Sequence, residues 1–372
     1  MPRHGENIFK RKDKRWEGRC ICGRNENGKA KYKSFYAHSY SECLKKMNDY
    51  KSKAVECSET KLTVSDLFEM WLESRKSSIK QSTYVNYMTL YDNHIRDIIG
   101  NLKCESVTAQ MLNKYVLYLL ESGNLHSGGL SATSTQAVLI IIKSMFAFAS
   151  SEYNIKDPAK RISLPRKEQK EYDLFNDSEI NLLCGLSGDK DPTRIGILLC
   201  LLAGIRIGEV CALKWSDIDL ESNVLHIKKT LQRIKNPNGG EPKTIVVITE
   251  PKSQKSIRDV PIPTSLLPSL KRMRQDGECY FLTAQRDHTE PRCLSLKYKK
   301  CLNELGIKYK NFHCLRHTFA TKCVKAGVDP KTLSELLGHS GVQITLDRYV
   351  HSNLDIKRVQ IEKLSAELFS AL

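Results

Sequence analysis

The sequence contains no apolar run long enough to cross a membrane. Its longest apolar stretches, residues 137–142 and 195–203, fall short of the ~18 residues that a membrane span requires, and the polar N-terminus lacks a signal-peptide core. The 13 cysteines are an odd number without paired spacing, and Cys20 and Cys22 stand too close together for a zinc knuckle. There is also no internal repeat. These absences argue against membrane and disulfide-framework proteins, and they predict a cytoplasmic protein with reduced, mostly buried thiols.

Positive charge is what the chain has in excess. It carries 59 Lys and Arg against 42 Asp and Glu, a net charge of +17. Residues 1–55 alone hold 15 basic and 6 acidic residues, so +9 of that charge lies there. A strongly basic segment favours a polyanionic partner such as DNA, although a solubilising basic tail is an alternative. At 372 residues and 40% hydrophobic content, the chain can form two or three domains.

The N-terminal segment has the pattern of a small basic sheet followed by a helix. Apolar and charged residues alternate through residues 7–37, and residues 25–28 supply a turn. Ser39 and Glu42 form a possible capping box at the start of a helix that ends near Ala54. A three-stranded sheet with one apolar and one basic face suits the major groove of DNA. We predict a DNA-binding domain over residues 1–56; the alternative is an accessory domain whose lysines merely face water.

The rest of the chain predicts a helical bundle and then a mixed domain. Apolar stripes such as Leu67, Phe68 and Trp71 indicate helices over residues 61–156, with a further helix capped at Ser82. Tyr84, Tyr87, Tyr91 and Ile95 form a second stripe, which we assign to the core. Residues 157–171 are rich in proline and basic residues and predict a linker. Residues 172–372 predict a mainly helical domain with a small antiparallel sheet: helices near 177–185 and 192–203, strands near 224–231, 244–250 and 256–262, and helices thereafter.

Six side chains of the C-terminal half are the candidate catalytic residues. A phosphodiester carries one negative charge and its five-coordinate transition state about two, so catalysis requires fixed positive donors. Two guanidinium groups would hold the phosphate, two imidazoles and an ammonium group would manage protons, and a phenol would attack. In chain order these are Arg206, Lys252, His313, Arg316, His339 and Tyr349. Such a reaction needs no metal ion, cofactor or attacking water.

Local context supports several of these assignments. Arg206 follows an apolar helix, and Glu209 three residues later is expected to pair with it and orient it; an ordinary buried ion pair is the alternative. His339 follows Gly338, which can end a helix in the left-handed conformation. Lys252 lies at the tip of a predicted hairpin between strands 244–250 and 256–262, where it can protonate a leaving oxygen. Alternatively, Lys252 is a solvent-exposed lysine in a turn, without a catalytic role.

Two further alternatives concern metal binding and packing. His313 and His317 have the i, i+4 spacing of a zinc pair, but the glutamate of a His-Glu-x-x-His motif is missing and no acidic third ligand stands nearby. Arg316 between them would repel a divalent cation. Tyr349 has a pKa near ~10 as a free phenol and needs its proton removed before it can attack; most single tyrosines are packing residues.

These strings resemble the tyrosine recombinase, or phage-type integrase, family. The first arginine box is matched by Gly204 to Glu209 with Leu213, Trp215, Asp217 and Ile218. The lysine context is matched by Thr249 to Ile262, which includes Ser256, Arg258, Val260 and Pro261. The remaining boxes are matched by residues 313–321, by residues 336–340 and by Tyr349.

The resemblance implies a mechanism and a set of partners. Tyr349 would form a 3′-phosphotyrosine, Arg206 and Arg316 would clamp the phosphate, and His339 would donate a further hydrogen bond. His313 would assist proton transfer, and Lys252 would protonate the leaving 5′-oxygen. A homotetramer would exchange strands between core-type sites, while residues 1–56 bind arm-type sites to integrate and excise a mobile element. A DNA-bending host factor and an excisionase are expected partners, and the protein would associate with the bacterial nucleoid.

Other functions remain open at this stage. A type IB topoisomerase shares the phosphotyrosine chemistry but relaxes DNA as a monomer. A non-catalytic DNA-binding protein would lack one of the six residues, and a metal-dependent hydrolase would lose activity in chelator. The tail after Tyr349 carries Ile361, Leu364, Leu368 and Leu372 at helical spacing, which suits docking either on its own domain or on a neighbouring subunit.

Overall fold

The computed structural model divides the chain into two compact units. The first unit comprises residues 1–75 and 90–164, and the second comprises residues 76–89 and 165–372. The structure describes residues 7–24, 30–56, 62–166, 173–250 and 256–349, together with positions 358, 361, 362, 365, 366, 368 and 369. The sequence-based division at residues 56, 61, 156 and 171 remains a prediction.

The first unit opens with the predicted three-stranded sheet and its helix. Strands β1 (Ile8–Lys10), β2 (Trp16–Arg24) and β3 (Ala30–Ala37) are antiparallel in the order β1-β2-β3, and helix α1 spans Tyr40–Glu56. Ile8, Cys20 and Ala37 on one face of the sheet pack against Cys43 and Met47 of α1. Gly18 permits this close approach, since a Cβ atom there would lie 2.2 Å from the Met47 sulfur. The helix begins one residue after Ser39, whose hydroxyl accepts a hydrogen bond from the Glu42 amide, as expected for a cap.

A helical bundle completes the first unit. Its elements are α2 (Val64–Arg75), a π-helical turn (Tyr91–Ile95), α4 (Arg96–Ile99), α5 (Ala109–Ser122) and α6 (Ala132–Tyr153). The predicted apolar stripe of α2 is buried, and the Trp71 indole donates to the Ser144 hydroxyl of α6 at 3.1 Å. One described helix, α6, has the length and mean hydropathy of a membrane span although its uninterrupted apolar run is short, and eight of its residues are buried. This burial is that of a core helix.

Helix α3 (Gln81–Leu90) corrects one sequence-based expectation. It begins at Gln81, so Ser82 lies inside the first turn and does not cap the helix. Both the Thr83 and Tyr84 amides donate to the Lys80 carbonyl, which starts the helical hydrogen bonding two residues earlier than a cap at Ser82 would. Of the predicted tyrosine stripe, Tyr91 is buried, whereas Tyr84 and Tyr87 are half-buried.

The second unit is mainly helical, as predicted. Helices α7 (Asp177–Cys184), α8 (Pro192–Leu202) and α9 (Ile207–Ala212) lie before the strands, and α10 (Leu267–Met273), α11 (Pro291–Glu304), α12 (His313–Lys325), α13 (Pro330–Leu337) and α14 (Val342–Tyr349) lie after them. Helix α8 is apolar on nearly all sides, and eight of its 11 residues are buried. It forms the centre of the core against which α9, α11 and α12 pack.

The strands of this unit differ from the expected hairpin. The predicted strand over residues 224–231 is two strands, β5 (Val224–Ile227) and β6 (Thr230–Lys235), which belong to different sheets. Strand β6 pairs with β7 (Thr244–Thr249), whereas β5 pairs with β4 (Ile218–Asp219) and β8 (Arg258–Pro261). Strands β7 and β8 therefore do not pair with each other, and the hairpin predicted around Lys252 is wrong. The turn predicted at residues 236–240 does connect β6 to β7.

Candidate active site

The turn between α8 and α9 positions Arg206. Helix α8 ends at Leu202, and Gly204 adopts φ +65°, a left-handed conformation that a side chain would strain. A Cβ atom at this position would also lie 2.5 Å from the Phe319 ring. Arg206 directly precedes α9. Its backbone amide and its Nη1 donate to the two different oxygens of the Glu209 carboxylate, at 2.9 and 2.7 Å respectively. The predicted pairing of Arg206 with Glu209 is therefore present.

Glu209 holds a second arginine as well. Both terminal nitrogens of Arg258 donate to the Glu209 carboxylate, at 3.1 and 2.8 Å, and Arg258 Nε donates to the Leu336 carbonyl at 2.6 Å. Burial raises the pKa of Glu209, but the hydrogen bonds and charge of Arg258 and the charge of Arg206 outweigh it and lower the pKa to about 2. Glu209 thus stays ionised and fixes two guanidinium groups from separate elements.

Arg316 is buried beside this pair on α12. It is 2% exposed, and its terminal nitrogens donate to the Gly204 carbonyl at 2.7 Å and the Leu337 carbonyl at 2.5 Å. Arg206 Nη2 donates to the next carbonyl, that of Gly338, at 3.2 Å. Burial and the charge of Arg206 lower the pKa of Arg316 from 12.5 to about 9, which leaves it protonated at neutral pH.

The three arginines create a site for an anion. With one carboxylate among three guanidinium groups, the cluster has an excess of two positive charges. That excess matches the charge of a five-coordinate phosphorane, and a low local dielectric strengthens the attraction. Bound phosphate oxygens would also relieve the repulsion that lowers the pKa of Arg316.

His339 lies at the end of α13, where the sequence predicts it. Gly338 ends the helix with φ +61° and ψ +49°, in the left-handed region. The His339 Nδ1 lies 2.8 Å from the hydroxyl of Thr345 on α14, and both residues are buried. This contact fixes the imidazole, whose plane is within 5° of the Tyr349 ring plane at a centroid distance of 6.4 Å.

Tyr349 is the last residue of α14 and is 8% exposed. It packs with Ala320, Leu333 and Leu337 of the same unit. Its hydroxyl lies 2.7 Å from Nδ1 of His317, a buried residue of α12. The His317 ring is in turn 4.7 Å from the ring of His313, one helical turn earlier. The phenol therefore lies beside the histidine face of α12 in its own chain.

The structure brings together all but one of the predicted site residues. Six of them, Arg206, Glu209, His313, Arg316, His339 and Tyr349, belong to the second unit and are linked by the contacts above. Lys252 lies outside the described residues. The chain leading to it is held at Glu250, whose carbonyl accepts a hydrogen bond from the Lys80 ammonium at 2.7 Å.

Three contributing residues were not assigned a role from the sequence. Arg258 belongs to a string that resembles the family, but its role requires knowing that β8 lies next to Glu209. For His317 the sequence suggests a zinc pair with His313 and a place in the family string of residues 313–321, but its contact with Tyr349 depends on where α14 lies. Thr345 has no local signal, because its hydroxyl matters only once α14 folds back toward His339.

Comparison with known proteins identifies the family. Residues 174–355 match the phage integrase family, and residues 63–120 match the phage integrase N-terminal SAM-like domain. A tyrosine recombinase XerC-like protein of Caldanaerobacter subterraneus subsp. tengcongensis is 34% identical over 362 residues, covering 88% of this chain and 90% of that protein. The chain belongs to the phage integrase family of tyrosine recombinases. It is therefore a site-specific recombinase, as the sequence predicted, and the topoisomerase and non-catalytic alternatives are not favoured.

Solved structures share the fold of this tyrosine recombinase. The Tn1549 transposon integrase in complex with transposon right end DNA superposes with a TM-score of 0.67 at 22% identity, covering 82% of this chain and all of that one. A lambda integrase tetramer bound to a Holliday junction superposes with a TM-score of 0.55 at 15% identity, covering 94% of this chain and 98% of that one. These matches confirm the predicted multidomain fold class.

Proposed function

We propose that Tyr349 of this recombinase attacks the scissile phosphate of DNA and forms a 3′-phosphotyrosine intermediate. The phenolic oxygen bonds to phosphorus while the bond to the 5′-oxygen breaks, so one ester replaces another. The 5′-hydroxyl of a partner strand later attacks the phosphotyrosine and releases the phenol. Because the number of ester bonds is constant, the reaction requires neither ATP nor attacking water.

The roles of the other residues follow from their chemistry. Arg206 and Arg316 hold the non-bridging oxygens, and Glu209 keeps Arg206 oriented. His339 donates a hydrogen bond to the phosphate, and His313 assists proton transfer. Lys252 gives a proton to the departing 5′-oxygen. The observation that carries this proposal is that the Tyr349 hydroxyl contacts the His313–His317 face of its own chain, and that Tyr349 packs against Leu337, whose carbonyl accepts a hydrogen bond from Arg316.

The DNA partners are proposed from charge and fold. Residues 61–372 would hold core-type sites, and the basic sheet of residues 1–56 would hold arm-type sites. The shared fold with an integrase that is bound to transposon end DNA supports a role in integrating and excising a mobile element. A DNA-bending factor of the host and an excisionase would assist, in the cytoplasm and at the nucleoid.

A homotetramer would bring two core sites together. The tetrameric assembly of lambda integrase supports this arrangement, since the folds are shared. The C-terminal tail adds a second argument. Its described apolar residues Ile361, Leu368 and Phe369 are 66%, 61% and 74% exposed, which is an apolar surface suited to another subunit.

Trapping the covalent intermediate tests the assignment of the nucleophile. With a nicked duplex carrying the end sequence of the element, the wild-type chain should form a protease-sensitive covalent complex, and Tyr349→Phe should bind the duplex equally well but form none. Tyr309→Phe removes a phenol that is 48% exposed in the same unit and serves as the control. A covalent complex in Tyr349→Phe would assign the attack to another residue.

A further inference from the structure

One row of residues crosses the outer face of the N-terminal sheet. Phe9 on β1 pairs with Glu17 on β2, and Glu17 pairs with Tyr36 on β3. This face points away from α1, which packs against the alternate residues. Phe9 and Tyr36 are each 43% exposed, yet Glu17 between them is only 2% exposed. A carboxylate is thus buried at the centre of a face that is otherwise open.

Two arginines cover this carboxylate. Arg11 Nη1 donates to one oxygen of Glu17 and Arg19 Nε to the other, both at 2.8 Å. The Arg19 guanidinium carbon also lies 5.4 Å from the Phe9 ring centroid, and that of Arg11 lies 5.4 Å from the Tyr36 ring centroid. Each guanidinium is therefore fixed by a carboxylate oxygen and by an aromatic face.

The contact between Arg19 and Glu17 leaves the Nη1–Nη2 edge of the Arg19 guanidinium available to a DNA base. Its contact with Glu17 uses Nε, and across the part of the chain that the structure describes Nη1 and Nη2 of Arg19 donate to no other group. Two adjacent N–H donors in one plane match the O6 and N7 acceptors of guanine in the major groove. A guanidinium that is already oriented loses less conformational entropy when it binds than a mobile one.

Glu17 places a negative charge within a strongly basic strand pair. Residues 8–24 hold seven Lys and Arg against two acidic residues, so this strand pair is strongly basic. A carboxylate at its centre weakens the attraction to phosphates, which is the sequence-independent part of DNA binding. Any favourable contribution of Glu17 to DNA binding would therefore come from orientation of the arginines.

We propose that Glu17 is a positioning residue that sets Arg11 and Arg19 to recognise guanine edges in the major groove. The inference rests on the proposed binding of arm-type DNA by residues 1–56. In this proposal Arg11 and Arg19 are the side chains that read sequence, guanine is the base they read, and Glu17 lies within a cationic surface because it orients them.

The test uses the full chain carrying Tyr349→Phe, so that DNA is bound but not cut. A pool of duplexes with a randomised centre is selected with this protein and with its Arg19→Ala variant. The sequence preference that Arg19→Ala loses is the one read by the sheet. Affinities for the enriched duplex and for a scrambled duplex are then measured over a range of salt concentrations.

Glu17→Gln should lower affinity for the enriched duplex by about 5- to 150-fold, the range for losing one bidentate base contact, while affinity for the scrambled duplex is unchanged or rises. Glu17→Asp, which keeps the charge but is too short to reach both arginines, should lose the preference too. Glu42→Gln is the matched control: it removes the same charge from an exposed i, i+4 pair with Lys46 on α1 and should change neither affinity.

The outcomes distinguish failure of the positioning role of Glu17 from failure of arm-type DNA binding by residues 1–56. Tighter binding of both duplexes by Glu17→Gln, as the added charge alone predicts, would overturn the positioning role. If Arg19→Ala loses no sequence preference, the proposed reading of arm-type DNA by the sheet is contradicted as well, whereas a preference that needs Arg19 but not Glu17 overturns the positioning role alone. If Glu17→Gln lowers the melting temperature, Arg19→Lys decides the matter, since a lysine keeps the charge without the planar fork; guanine preference retained in that variant would overturn the proposal.

Discussion

At the scale of single residues, Glu209 is the group on which the arginine cluster depends. Its carboxylate is 3% exposed and ion-paired with Arg206 and with Arg258, whose side chain is 6% exposed. Removing one partner of a buried pair leaves the other charge uncompensated. The arginines would then repel each other across a site that no longer contains an anion of its own.

Glu209→Gln should therefore destabilise the second unit by about 3–5 kcal/mol and slow covalent complex formation. Because the folded-state pKa of Glu209 lies below its ordinary value of 4.5, at about 2, its stabilisation is present above pH 4.5 and is lost as the pH falls toward 2. Denaturant unfolding of the wild type over this pH range should show that loss, and the variant should lack it.

Glu304→Gln, which breaks the half-exposed pair with Arg194, is the control and should cost little stability. Equal acid sensitivity in Glu209→Gln and wild type would contradict this assignment.

His317 offers a separate prediction at the same scale. The 2.7 Å contact between its Nδ1 and the Tyr349 hydroxyl fixes the position of the oxygen proposed to attack. His317→Leu removes this contact and should slow covalent complex formation about 10-fold, the cost of one hydrogen bond, with DNA binding unchanged. His317→Asn places an amide near the position of Nδ1 and should restore most of the rate. Single-turnover assays on the nicked duplex measure both, and a wild-type rate in His317→Leu would show that the contact is not used.

At the scale of elements, the sequence predicted what is local and missed what depends on a distant partner. Helix ends with their own signals, such as Ser39 and Gly338, occur where expected. The single strand predicted over residues 224–231 fails because Leu225, Ile227 and Leu231 continue a two-residue period through the point where the chain changes sheets. Periodicity reports which face is buried but not against which strand. The role of Arg258 could not be predicted for the same reason, because its side chain contacts Glu209 only once β8 pairs with β5.

At the scale of the whole molecule, the distribution of charge separates two ways of holding DNA. Residues 57–372 retain 44 Lys and Arg against 35 Asp and Glu, a net charge of +9, so the chain stays basic without its N-terminal segment. A solubilising tail would contribute to all DNA binding equally through phosphate contacts. A sequence-reading sheet would contribute to one class of site.

Deleting residues 1–56 should therefore abolish footprints on arm-type sites and leave cleavage of a core-type duplex intact. The physical reason is that the contacts of the candidate active site lie within residues 174–349, while the arginines proposed to read bases lie on β2 and the β1–β2 connection. Footprinting on a duplex with both kinds of site, together with covalent trapping on the core duplex, measures the two effects in one experiment. Arm-type footprints that persist after the deletion would refute the assignment of the sheet. A parallel loss of binding to core-type, arm-type and scrambled duplexes would instead identify the segment as a basic tail, because only a sequence-independent electrostatic contribution weakens all three together.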